Sequence, residues 1–398
     1  MLTERLEFHP ERDVDFFAAV PAKPAVFRLR GIDEQAEPYV SKTANLRRRL
    51  HRLLGSPDER SRKLNLRDLV HSIEYAATGS DFESGFLLYK ILRKTFPKTY
   101  AKRLRFRFAP LIKLHLENEY PRASITTRLG RLNGRPLYYG PFRSRLAAEK
   151  FMNDSLDFFL MRRCVEDLHP DPKFPGCIYS EMKMCLAPCF KGCTDDQYSA
   201  EVTRVQSYFD SSGESLLREF SAQRDVASAN LAFEEASAIH MRLEKLKPVI
   251  NEFPEIVRRI DRLSALIIQP TLITDAVTFF RVERGVISGP IVFPIQAAEH
   301  AKSQSMESRV QGALDSFPVQ KTASAQEIME HLALLKRWYY RGSRIGEIFL
   351  ADDKNIFPMR RIVRGMARVL KGETVEKSLE TSHHGDTQPQ RESPSLKE

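Results

Sequence analysis

Cysteine is absent from most of this chain. Of 398 residues five are cysteine, and Cys164, Cys177, Cys185, Cys189 and Cys193 all fall inside one stretch of thirty. Long apolar runs are absent too. None approaches the roughly 18 consecutive residues that cross a bilayer, so no membrane partner is expected. The opening MLTERLEFHPERDVDFF carries early acids and no apolar run, and so does not read as a secretory signal. No segment repeats. The chain reads as cytoplasmic, and in a reducing compartment gathered thiols point to metal ligation rather than disulfides.

The length and a 42% apolar content allow two or three domains with real cores. Lys and Arg number 62 against 52 Asp and Glu, a net charge of +10 that suits a nucleic-acid partner without requiring one. After a polar leader, AVFRLRG (25–31) and PYVSK (38–42) read as short strands joined by a loop. TANLRRRLHRLLG (43–55) sets Leu46, Leu50, Leu53 and Leu54 at helical spacing before Gly55. LNLRDLVHSIEYAATG reads as a helix running into a strand, and DFESGFLLYKILRKTF (81–96) as a helix closed by Pro97. The expected class is mixed α/β and multidomain. A small α/β domain occupies 20–105, a strand and helix segment with the cysteines 106–195, a helical hairpin 196–250 and a C-terminal α+β domain 255–371. The polar stretch 372–398 has no apolar period and is expected to be disordered.

The cysteine spacing is x12, x7 and x3 from Cys164 through Cys177 and Cys185 to Cys189, with Cys193 a further x3 on. Four thiolates suit either zinc or an iron–sulfur cluster. Zinc sites favour two close pairs, and the longer, uneven gaps here are more comfortable around a cluster. The residue chemistry leaves both open.

Five stretches in order resemble the UvrC family of bacterial excision-repair endonuclease subunits. PAVF (24–27) with PYVSKTANLRRRL (38–50) resembles the strands and helix of a GIY-YIG nuclease domain. FPKTYAKRLR (96–105), then EYPRASIT (119–126) with YYGPF (138–142), resemble the segments that follow. The four cysteines with CLAPC match the family's four-cysteine pattern, and NLAFEEASAIHMRLEKL (230–246) resembles its UVR motif. The resemblance implies a four-iron four-sulfur cluster held by Cys164, Cys177, Cys185 and Cys189, with Cys193 spare. It also implies DNA as partner and a UvrB-like subunit docked on the hairpin. The family's second, RNase H-like nuclease domain has no counterpart with a convincing carboxylate set.

A GIY-YIG site uses tyrosines and a basic residue to activate water, an arginine to stabilise phosphate charge and a glutamate to hold one divalent metal. Position by position, Tyr39, Lys42 and Arg49 match. Phe27 replaces a tyrosine, Ser41 a glycine, Leu53 a tyrosine and Leu88 the metal glutamate. Leucine cannot ligate Mg²⁺. Glu83, five residues back, is turned roughly 140° and sits about 7.5 Å away along the helix. Asp81, seven back, is better angled but about 10 Å off. The site therefore reads as degenerate, and Mg²⁺ enters only if some other carboxylate serves.

Two basic runs are candidate DNA contacts. Arg47, Arg48 and Arg52 lie beside Arg49 on one helix, and Lys102, Arg103, Arg105 and Arg107 follow Pro97. The alternation of arginine with apolar residues over 103–108 reads as a strand with one basic face, suited to phosphates. On the hairpin, Leu217, Phe220, Leu231, Phe233, Ile239, Leu243 and Leu246 form apolar stripes, and Phe233, Glu234 and Ile239 are the candidate partner contacts. His240-Met241 stands where the motif has Arg-Asp, which removes a charged contact.

Overall fold

A computed structural model describes residues 2–33, 35–56, 64–130, 132, 135–296, 304–318 and 323–373. It is mixed α/β, as expected, with three four-stranded antiparallel sheets among the described residues. Of the tail expected over 372–398, residues 374–398 lie outside those residues.

The first sheet uses β1 (Glu4–Glu7), β2 (Ala25–Gly31), β3 (Tyr39–Thr43) and β4 (Val70–Ala77), in the order β1-β4-β2-β3. Between the strands lie α1 (Asp13–Ala19) and α2 (Leu46–Leu54), and after them α3 (Asp81–Thr95) and α4 (Tyr100–Leu104). The Asn45 side chain accepts the Arg48 N–H at 2.9 Å and starts α2, whose Leu46, Leu50, Leu53 and Leu54 face inward. The leader differs from its reading. Phe8, Phe16 and Phe17 are buried in the same core, and β1 pairs with β4. Residues 64–69 also differ, forming turns rather than a helix before β4.

The second sheet has β5 (Leu111–Leu114), β6 (Ala123–Thr126), β7 (Leu137–Gly140) and a late arrival, β8 (Arg258–Arg259), in the order β6-β5-β7-β8. Between β7 and β8 run α5 (Arg145–Leu156), α6 (Ile178–Glu181), α7 (Asp195–Asp210), α8 (Glu214–Ala229) and α9 (Phe233–Asn251). Both ends of the α8–α9 hairpin are thus tied into one body. The helix read as running into Cys164 stops at Leu156.

The third sheet has β9 (Ser264–Pro270), β10 (Ala276–Glu283), β11 (Val286–Pro294) and β12 (Glu347–Leu350), in the order β11-β10-β9-β12. Its helices are α10 (Met306–Asp315), α11 (Ala325–Tyr339) and α12 (Met359–Leu370). The run ALII in β9 is fully buried because both faces are covered. Leu266 and Ile268 join the core with α10 and α12, while Ala265 and Ile267 join the core shared with α3 and α11.

Helix α11 is the fastener between the first and third parts. Phe82 of α3 lies 5.0 Å from Phe280 and 5.1 Å from Trp338, ring centre to ring centre. Beside this apolar seam Glu330, 1% exposed, accepts hydrogen bonds from the Tyr89 hydroxyl at 2.9 Å, the Tyr100 hydroxyl at 2.6 Å and the Gln326 amide at 2.9 Å. Arg93 donates to Glu327 at 2.6 Å and to the Tyr89 hydroxyl at 2.8 Å. Burial, then Glu330, holds Tyr89 far above the ordinary tyrosine range, so its hydroxyl remains a donor.

His331, also on α11, accepts the Ile287 N–H on Nδ1 at 3.0 Å and is packed edge-on against Phe86 and Tyr89. Burial pushes it down to about 4. The unfolded chain then binds a proton near its ordinary pKa of about 6.5 that the folded chain refuses. The contribution is present above that value and is lost as pH falls towards about 4, on the order of 3 kcal/mol in all. Urea melts at a series of pH values are expected to show this slope, and His331→Gln to flatten it.

Candidate functional site

The β2–β3 hairpin sets Phe27 opposite Ser41 and carries Tyr39 and Lys42 towards α3. Arg49 on α2 donates from Nη2 to the Tyr39 hydroxyl at 2.7 Å, so two of the retained residues meet. Arg49 Nε is buried and has no hydrogen-bond partner among the described residues. Phe27 is fully buried, with its ring centre 6.1 Å from that of Tyr39, and Leu53 is buried in the same core.

Leu88 is half-buried and packs with Val40 against the core. The nearby acids behave differently from one another. Glu83 turns back and accepts the Gly79 N–H at 2.8 Å, and burial raises its carboxyl. Asp81, read as about 10 Å from the glutamate's place at Leu88, pairs with two cations: Oδ1 lies 2.5 Å from Lys42 Nζ, and Oδ2 lies 2.7 Å from Arg341 Nη1. Burial raises the Asp81 carboxyl, but Lys42 and Arg341 more than offset it and leave it below the usual range. Spacing along one helix did not show either pairing. Lys42 spans the gap that the helix rise alone leaves, and Arg341 was invisible from local spacing.

The basic runs divide by use. Arg47 donates to the backbone carbonyls of Val20 and Ala18 and fastens α1 to α2, so it is not a free DNA contact. Arg48 and Arg52 are exposed on α2. Arg103 is ion-paired with Glu37 and stacked 3.8 Å over the Phe96 ring. The strand read over 103–108 does not form. Leu104 ends α4, Arg105 is left-handed at φ 49°, and 106–110 are irregular. Lys102, Arg105 and Arg107 remain exposed.

The cysteines sit in a segment with little core of its own. Over 164–193 only Ala187 and Pro188 are buried. The backbone is left-handed at Gly176, Lys183, Ala187 and Lys191, and α6 is a single turn. Cys185 is pushed up to about 11, first by burial and then by Cys164, Cys189 and Cys177 nearby. Burial also raises Cys189, with Cys177 and Cys164 adding to it. Cys185 and Cys189 are thus each raised in part by Cys164 and Cys177. Burial, then Asp195 and Cys189, raises Cys193, which lies against the core. No three His, Cys, Asp or Glu side chains among the described residues stand close enough to share a single ion. Two donors point at the sulfurs: Ala187 N–H to Cys185 at 3.3 Å and Arg162 Nη1 to Cys164 at 3.4 Å. Arg162, missed in the sequence, is 2% exposed, and among the described residues its guanidinium otherwise donates only to the carbonyls of Tyr120 and Glu166.

The hairpin splits into base and tip. Phe220, Leu243 and Leu246 are buried and Leu217 and Ile239 half-buried, while Val226, Leu231, Phe233 and Met241 are each at least 60% exposed. Glu234 and His240 are exposed beside them.

Residues 109–208, from the start of the second sheet through the cysteines to α7, match the family model described as UvrC/Cho excinuclease, middle domain. The chain is UvrC-like. Its similar relatives include the UvrABC system protein C of Rickettsia rickettsii (strain Sheila Smith), 26% identical over 231 residues. That alignment covers 58% of this chain and 35% of the relative. The UvrABC system protein C of Lactiplantibacillus plantarum is 27% identical over 240 residues, covering 58% of the UvrC-like chain and 38% of its own. The match thus spans little more than a third of these curated relatives. No solved structure matches. No described helix is long and apolar enough to cross a membrane.

Proposed function

We propose that this UvrC-like protein is a DNA-binding adaptor subunit in nucleotide excision repair, in which a GIY-YIG-like fold is kept for binding rather than cutting. Leu88 carries the reading. A half-buried hydrocarbon stands where the metal-holding glutamate belongs, and the nearest acid to Lys42, Asp81, is already paired with two cations. Mg²⁺ binding there demands several oxygen ligands in near-octahedral order, and Asp81 would have to leave both partners to begin one. The proposed DNA contacts are Arg48, Arg52, Lys102, Arg105 and Arg107. The exposed tip of the hairpin, with Phe233 and Glu234, is the proposed seat for a UvrB-like partner, and Ile239, half-buried against the core, lies outside it.

Cys164, Cys177, Cys185 and Cys189 fit a four-iron four-sulfur cluster as a structural staple. Four sulfurs on one zinc stand about 3.8 Å apart, from a Zn–S length of about 2.3 Å. The x12, x7 and x3 spacing lacks the two close pairs that such a site favours, which supports the cluster over zinc. Arg162 adds a second support. A buried guanidinium with no carboxylate calls for negative charge nearby, and cluster thiolates supply it.

A nicking assay on damaged duplex with Mg²⁺ or Mn²⁺ tests the adaptor reading. No strand cleavage above background is expected. Cleavage abolished by Arg49→Ala would overturn it and make the protein an Mg-dependent endonuclease, with Asp81 as the carboxylate to examine by Asp81→Asn.

A further inference from the structure

The C-terminal part brings cations to a place the local sequence does not reveal. Arg105 and Arg107 beyond α4, Arg143 after β7, and Lys336 and Arg337 at the end of α11 line one cleft of about 530 Å³ with Ala333 and Tyr340. No acid lines it. None of the five cations makes an ion pair with a described residue, whereas Arg28, Arg93, Arg204, Arg259 and Arg368 elsewhere in the chain do. The end of α11 accounts for two of them, because cations are favoured near a helix C-terminus. It does not account for Arg105, Arg107 and Arg143, which come from other segments.

The cleft is held open by fixed contacts. Lys336 Nζ donates to the Phe108 carbonyl at 3.2 Å, and the Tyr340 hydroxyl to the Pro141 carbonyl at 2.9 Å. Burial, then Arg107 and Arg337, lower Lys336 below the ordinary lysine range. Phe108 stands beside the cleft, 38% exposed, with one face stacked on Phe106. Like charges from three segments repel one another unless a polyanion sits among them. A run of phosphates does this, and a part-exposed ring gives a base a stacking surface.

We infer that this cleft binds the phosphate backbone of a nucleic-acid strand, with Lys336, Arg337, Arg143, Arg105 and Arg107 as phosphate contacts and Phe108 as a stacking platform. The inference rests on the DNA-binding reading above. It deepens that reading by making α11 part of the interface.

Fluorescence anisotropy of the full chain with a labelled single strand and its duplex tests it. Lys336→Ala with Arg337→Ala is expected to weaken single-strand binding roughly tenfold or more. The same pair is expected to flatten the plot of log affinity against log salt by about 1.4, near 0.7 per lost contact. Phe108→Ala is expected to weaken the single strand roughly fivefold or more and the duplex far less. Circular dichroism checks folding, and Arg143→Glu, at an exposed site outside the helices, repeats the test if the double variant unfolds. Should wild type bind DNA while these variants keep its affinity and salt slope, and Arg48→Ala with Arg52→Ala weaken it, the cleft inference falls and the DNA reading stands. Should wild type bind neither form, both fall.

Discussion

Cys185→Ser is expected to strip the protein of iron. Anaerobically purified wild type is expected to carry about four irons per chain and a broad absorption near 400 nm, roughly, and the variant neither. Cys164, Cys177 and Cys189 variants are expected to match it, whereas Cys193→Ser keeps the colour. The effect is large because the 164–193 segment buries only Ala187 and Pro188 and has no core to fall back on. Ordering each residue costs about 1–2 kcal/mol, and a bound inorganic centre offsets that for the whole loop. Limited proteolysis is therefore expected to cut first within 164–193 in the serine variant. Arg162→Leu separates staple from charge. It keeps all four thiols but removes the guanidinium, so iron is expected to be retained in part and lost faster to a chelator. Zinc at about one ion per chain, with no visible band, would sink the cluster assignment.

Glu330→Ala is expected to cost about 3–5 kcal/mol. It leaves two buried tyrosine hydroxyls without their acceptor, at about 1–3 kcal/mol for each unsatisfied group, while the exposed Gln326 amide keeps the Tyr100 hydroxyl. Urea unfolding is expected to show a lower midpoint, and Glu330→Gln, which retains one carbonyl oxygen, a smaller drop. The consequence reaches the nuclease-like site, because Arg341 follows α11 and grips Asp81 at 2.7 Å. A loosened α11 therefore loosens Asp81 and Lys42 as well. A midpoint unchanged from wild type would show that the seam is held by Phe82, Phe280 and Trp338 alone.

What could be read from sequence was whatever is local or unmistakably unusual. The cysteines stood out because the rest of the chain has none. The β2–β3–α2 unit was legible because its period shifts from two to 3.6 within thirty residues, bounded by Asn45 and Gly55. The first strand and helix were not. Their three phenylalanines are diluted by charges, and the pairing that explains β1 lies with β4. Alternation at 103–108 misled for the opposite reason. The pattern was present, but Arg103 is held by Glu37 and Phe96, and Arg105 turns the backbone left-handed. Asp81 and Arg162 were missed because their roles depend on partners brought by folding: Lys42 and Arg341 for one, a sulfur and two carbonyls for the other.

Synthesis on the ribosome runs into the same separation. The face of α3 that bears Phe82, Phe86 and Tyr89 emerges early, yet its lid comes late: Tyr89 waits for Glu330, 241 positions further on. Until then a nascent chain displays an aromatic patch that water rejects and other growing chains would accept. Any fragment ending before α11 is therefore expected to clump rather than fold.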